Sequence, residues 1–91
     1  MTVRVRFFAQ FRERCGGDHR VDPPAGATVA DVVRSVAGTG AAGDSAIGPD
    51  GTLRDYVILM RNGTRLEHDE AETTTVEDGD ELAVFPPVAG G

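Results

Sequence analysis

Residues 78–91 read Asp78-Gly79-Asp80-Glu81-Leu82-Ala83-Val84-Phe85-Pro86-Pro87-Val88-Ala89-Gly90-Gly91. The Asp-Gly-Asp triplet marks a turn. After it, Leu82 and Val84 alternate with Glu81, Ala83 and Phe85, the period of two that describes a strand with one face on a core. Proline has no N–H to give to a ladder and holds the residue before it extended, so Pro86-Pro87 ends the sheet. The six residues from Pro86 leave as a stiff stem with a flexible tip, able to reach about 20 Å when extended. Gly90 and Gly91 have no side chains, so they can thread a channel too narrow for any Cβ and carry an α-carboxylate into another protein's deep active site. The same pair is equally readable as a frayed end, and composition does not choose between the two.

The elements upstream follow from local pattern. Residues 2–8 alternate Val3, Val5 and Phe7 with Arg4 and Arg6, a half-buried strand. Residues 9–15 read as a short helical turn around Phe11, ended by Gly16-Gly17. Residues 19–21 form a second strand, stopped at Pro23-Pro24 and paired antiparallel with the first. Thr28 caps the one clear helix, with Asp31 three residues on as a capping-box partner. Val29, Val32, Val33 and Val36 then give an apolar stripe at i, i+3, i+4 and i+7, with Arg34 and Ser35 outside it. The stripe is β-branched throughout, so packing on a sheet must hold this helix more than propensity does.

Residues 38–51 hold five glycines and no periodicity, and read as a long surface loop with one turn near residues 45–47. Residues 57–60 are continuously apolar, which suits a strand covered on both faces. Asn62-Gly63 is a strong hairpin signal, with residues 64–66 as the return strand. Residues 69–75 are acidic and threonine-rich and read as loop. The order is strand, strand, helix, strand, strand, strand, without internal repeats.

The chain has 91 residues, a formal charge of −6 and a hydrophobic fraction of 40%. That supports one domain with a real but thin core. The longest apolar run, residues 56–60, is far short of the ~20 residues a membrane span needs, and the start of the chain carries no secretory pattern. One cysteine, Cys15, excludes an internal disulfide and any Cys-based metal cluster, and points to a reducing, cytoplasmic compartment. The acidic balance argues against nucleic acid as a partner. All nine basic residues are arginine.

No catalytic constellation is visible. His19 and His68 read as surface histidines, Cys15 as a small buried hydrophobe, and Asp69, Glu70 and Glu72 as a solvated acidic loop. The glycine pairs lack the strand-to-helix context and the lysine of a phosphate loop.

The chain resembles the small β-grasp sulfur carriers and ubiquitin-like modifiers: the small subunit of molybdopterin synthase (MoaD), the thiamine carrier (ThiS) and the small archaeal modifier proteins. The resemblance rests on Phe7-Phe8-Ala9 with Phe11-Arg12-Glu13, on Thr28-Val29-Ala30-Asp31-Val32, on Asn62-Gly63 and above all on residues 78–91. It covers essentially the whole chain, and the Phe-Pro-Pro-Val form of the tail is similar to the molybdopterin-synthase and archaeal-modifier members. It implies an α+β ubiquitin-like β-grasp fold, with a mixed four- to five-stranded sheet packed on one main helix. The domain would span residues 1–85, and residues 86–91 would form a flexible Gly-Gly tail.

The resemblance also implies a role. An E1-like adenylating enzyme would use ATP to activate the Gly91 carboxylate, and sulfide from a persulfide would convert it to a thiocarboxylate. The chain would be no enzyme, would bind no cofactor or metal itself, and would be monomeric when free. It would pass its sulfur on inside the large subunit of molybdopterin synthase, or Gly91 would be joined to lysines of target proteins. A β-grasp interaction module whose Gly-Gly does no chemistry is the reading from a different class. Partner contact is expected from Gly90, Gly91, Phe85, Pro86, Pro87 and Val88, and from the outer sheet face at Phe8 beside Arg4, Arg6 and Arg61. Whether Phe8 and Phe85 face outward or belong to the core stays open. Without lysine the chain offers no ε-amine to its own Gly91, only an α-amine, so conjugation would add single units.

Overall fold

The structure is a computed structural model that describes residues 1–37, 46–48 and 50–86, apart from the side chains of Arg14 and Cys15. The expectations for Pro87, Val88, Gly90, Gly91, residues 38–45 and the Cys15 thiol lie outside the described residues.

Val3, Val5 and Phe7 are buried while Arg4 and Arg6 are half-exposed, so β1 (Val3–Phe7) has the one-sided pattern its alternation predicts. It is followed by α1 (Ala9–Cys15), β2 (Asp18–Val21), α2 (Val29–Ala37), β3 (Ile58–Arg61), β4 (Thr64–Leu66), α3 (His68–Thr73) and β5 (Glu81–Phe85). The sheet has five strands in the order β2-β1-β5-β3-β4. β1 and β5 are parallel and the other pairs antiparallel. The terminal strand is therefore central.

α2 is capped reciprocally: the Thr28 N–H donates to Asp31 Oδ2 and the Asp31 N–H to Thr28 Oγ1, both at 3.1 Å. Val29, Val32 and Val33 are buried against the inner sheet face, with Val36 partly covered. Asn62 and Gly63 take positive φ of 51° and 82°, the primed turn that matches strand twist.

Four expectations are corrected. Residues 69–75 are not all loop, because α3 occupies His68–Thr73 and buries Ala71. Glu67 and Glu70 cap it reciprocally, and glutamate is an uncommon N-cap. Arg34 ties α3 to α2 through two 2.9 Å bonds to Glu72. The end of the glycine-rich stretch is not surface loop: Ala46 and Ile47 are buried, and Ile47 bridges Leu53. β3 is covered on one face only, since Val57 and Leu59 are buried while Ile58 and Met60 are half-exposed. The histidines are half-covered rather than exposed: His19 meets Phe7 edge-on at 5.7 Å, and His68 Nε2 lies 2.7 Å from the Val57 carbonyl.

At the start of β5, Asp80 is 4% exposed and accepts from Arg61 Nε at 3.0 Å, Asn62 Nδ2 at 3.0 Å and the Glu77 N–H at 2.8 Å. Burial alone would raise its pKa, but the donors on Asn62, Glu77 and Arg61 outweigh it and hold the carboxyl below the usual aspartate value.

Asp80→Ala strands these buried donors and is expected to cost about 2–4 kcal/mol by urea denaturation, against about 0.5 kcal/mol or less for exposed Asp55→Ala. A depressed native pKa stabilises fully above the unfolded value of about 3.9 and is lost as pH falls through the native one. Asp80→Asn should therefore flatten the loss of stability below about pH 4.

Candidate functional site

Residues directly opposite in a ladder share a face. Leu82, Val84, Leu59, Val3, Val5 and Phe7 take the inner face, which leaves Arg4, Arg6, Glu81, Ala83, Phe85, Ile58 and Met60 on the outer one. The β2 and β4 partners add Asp18, Arg20 and Arg65.

Phe8 extends β1 and sits outside the core. Its N–H donates to the Val84 carbonyl at 3.2 Å, and its ring stacks on Phe85 at 4.3 Å and 13°. The Arg6 guanidinium lies 5.4 Å above the Phe8 ring. Ala9, with φ of 52°, turns the chain away into α1 immediately afterwards. Ile58 lies opposite Phe85. Phe8, Phe85, Met60 and Ala83 line a depression of about 510 Å³ that runs past Arg6 and Glu81 to Asn62, Gly63 and Gly79 at the hairpin turn. The chain leaves the sheet at half-buried Pro86, beside the stacked rings.

Charges on this face are partly neutralised in place. Arg4 holds Asp18 through bonds of 2.9 and 2.7 Å, and Arg6 reaches Glu81 at 3.4 Å. The bond from Arg4 holds the Asp18 carboxyl below the usual range.

Arg61 departs from its expected place. It pairs with Leu82, so it has inner-face parity, and it lies at the opposite end of β5 from Phe85. Its guanidinium is bound to Asp80 and reaches Glu77 at 3.8 Å, so it serves the fold. Sequence reading missed Ile58, Met60 and Ala83. The signal was there as a period of two in residues 57–60, hidden because every position is apolar.

Among the described residues no cluster of His, Cys, Asp or Glu is placed to hold a metal. The resolved shifts lower Asp18, Asp31, Asp50 and Asp80 and raise Arg4 and Arg34, so none brings a group toward neutrality for acid–base work. No helix among the described residues is long and apolar enough to cross a membrane.

A family model described as the ThiS family matches residues 5–91. The chain is 42% identical to small archaeal modifier protein 3 of Haloferax volcanii, covering 100% of both chains. It is 31% identical to the molybdopterin synthase sulfur carrier subunit of Drosophila erecta, over 100% of this chain and 92% of that one. The crystal structure of SAMP1 from Haloferax volcanii is similar at a TM-score of 0.77 and 31% identity, again covering 100% of both chains.

The two phenylalanines at the end of β1 should separate in denaturation experiments. Phe7→Ala opens the core and is expected to cost about 3–5 kcal/mol, whereas Phe8→Ala loses one half-buried stacking partner and should cost about 1–2 kcal/mol.

Proposed function

The chain belongs to the ThiS family, and from that premise we propose that it is a ubiquitin-like sulfur carrier, activated at Gly91, that serves molybdopterin synthesis. Its sequence relatives are carriers and modifiers rather than enzymes. The observation that carries the reading is the placement of β5. A central strand ends beside a half-buried apolar cluster on the outer face and hands the chain to Pro86-Pro87-Val88-Ala89-Gly90-Gly91. A partner gripping Phe8 and Phe85 thereby fixes the origin of a tail that reaches about 20 Å and ends in two residues without side chains.

A Gly91 carboxylate oxygen attacks the α-phosphorus of ATP on the adenylating enzyme, and pyrophosphate leaves. The resulting mixed anhydride makes the glycine carbonyl an electrophile. The terminal sulfur of a persulfide displaces AMP to give an acyl disulfide. A second thiol then reduces its S–S bond and releases the thiocarboxylate. This chemistry suits a reducing cytoplasm. The carrier itself holds no cofactor, and ATP belongs to the activating enzyme. Delivery follows when the tail enters the large subunit of molybdopterin synthase.

The 42% identity to an archaeal modifier favours a second outcome for the same acyl-adenylate, in which a target lysine's ε-amine displaces AMP and forms an isopeptide bond.

Incubation with the activating enzyme, ATP and a sulfur donor, read by intact mass, is expected to exchange one oxygen for sulfur at the C-terminus. Conjugation is expected as high-mass, reductant-resistant adducts of a tagged chain in cells. Deleting Gly90 and Gly91 should abolish both, and a chain that shows neither is an interaction module. Phe8→Asp should lower kcat/KM for adenylation about tenfold or more while leaving the fold intact.

A further inference from the structure

Charge is segregated on this molecule in a way its overall acidity conceals. The outer sheet face carries four arginines, Arg4, Arg6, Arg20 and Arg65, against two carboxylates, Asp18 and Glu81. That is a net +2 on a chain of −6, so the remaining residues carry −8. Asp18 and Glu81 neutralise Arg4 and Arg6. The surplus rests on Arg20 and Arg65, both exposed, which make no hydrogen bond or ion pair closer than 4 Å among the described residues, although Arg20 still feels the Asp18 charge on its own strand. They stand on β2 and β4, the two edges of the sheet: Arg65 is level with Met60 and Ala83, and Arg20 with Arg4 and Glu81, toward the end of β5 away from Phe8, Phe85 and Ile58.

We propose that the surface received by this face is a protein surface with an apolar patch for Phe8 and Phe85 and two acidic sites beside it, its carboxylates meeting Arg20 and Arg65. Four strand spacings set these sites about 19 Å apart. The proposal rests on the reading that the carrier docks by its outer face, and adds what the partner must present there. Guanidinium forks favour bidentate carboxylates, and two such contacts on opposite edges fix rotation about the apolar patch, which Phe8 and Phe85 alone cannot. Nucleic acid is the poorer match. Two cations release few counterions, and the Phe8 and Phe85 rings already stack on each other.

The first test measures kcat/KM for adenylation, as pyrophosphate release, with the Arg20→Glu/Arg65→Glu double variant. A fall of about tenfold or more is expected with kcat unchanged, because like charges are strongly disfavoured across an interface. Arg20→Lys/Arg65→Lys keeps the charge but loses the fork, so it should fall between the parent and the double reversal, and melting temperatures should not move. A double reversal within twofold of the parent overturns the proposal. The second test needs no enzyme. Hexaglutamate is titrated into isotopically labelled chain at the lowest salt that keeps the fold intact. The Arg20 and Arg65 amides should shift while those of α2 and α3 do not. Shifts on the helices, or none, overturn the proposal even where adenylation is normal. Shifts at the two arginines in a chain that is never adenylated remove the carrier reading and keep the acidic partner. Retention of a single-stranded oligonucleotide through these arginines, with adenylation unaffected by their reversal, assigns the face to nucleic acid and overturns it.

Discussion

A single buried carboxylate holds this sheet in register. Asp80 takes donors from Arg61 on β3, from Asn62 in the hairpin turn and from the Glu77 backbone, while its own carbonyl accepts the Arg4 N–H. Three separate stretches of chain thereby meet at the first residue before β5. Asn62 strengthens the junction by accepting the Glu81 N–H through its side chain at 2.9 Å. Strand side chains alternate with a period of two, so a slip of one residue in β5 would send Leu82 and Val84 to solvent and Ala83 and Phe85 into the core. A buried ion pair is weak evidence for stability as such, because desolvation offsets much of the attraction. Here its consequence is geometric. It decides which phenylalanine faces outward.

From that register the outer face follows. β5 is central and parallel to β1, so Phe8 and Phe85 emerge side by side at the same end of the sheet and stack. Antiparallel β3 brings Ile58 to the same level. The stem begins at the next residue, Pro86. If a partner docks on this face as proposed, one strand fixes both its grip and the residue from which the tail starts.

Much of this was legible where the signal is local. The alternation of β1 and β5, the Thr28–Asp31 cap with its valine stripe, and the Asn62-Gly63 turn each contain their own instruction within a few residues, and each element forms where expected. Failures occurred where the deciding partner is distant in sequence. α3 depends on a glutamate cap and on Arg34 reaching across from α2. Ile47 is buried because Leu53 and the core close over it. An unbroken apolar run such as residues 57–60 does not reveal which side faces water until its neighbours are known. Arg61 looked like a face residue because its acceptor, Asp80, lies nineteen positions away.

Arginine also does something for the chemistry that lysine could not. In the proposed reaction adenylation would make Gly91 an electrophile, and any ε-amine on a neighbouring copy would compete with sulfur or with a target for it. A guanidinium stays protonated up to a pKa above about 12 and does not attack. With arginine at all nine basic positions, these residues keep the ion pairs at Asp18, Asp31, Glu72 and Asp80 and present no ε-amine to an activated tail. The same guanidinium geometry that grips Asp18 through two bonds is what Arg20 and Arg65 offer outward, unspent within the fold. Under the proposed function, composition, register and reactivity converge on one division of labour: the folded domain would supply recognition, the tail the carboxylate, and no lysine amine of the chain could intercept it.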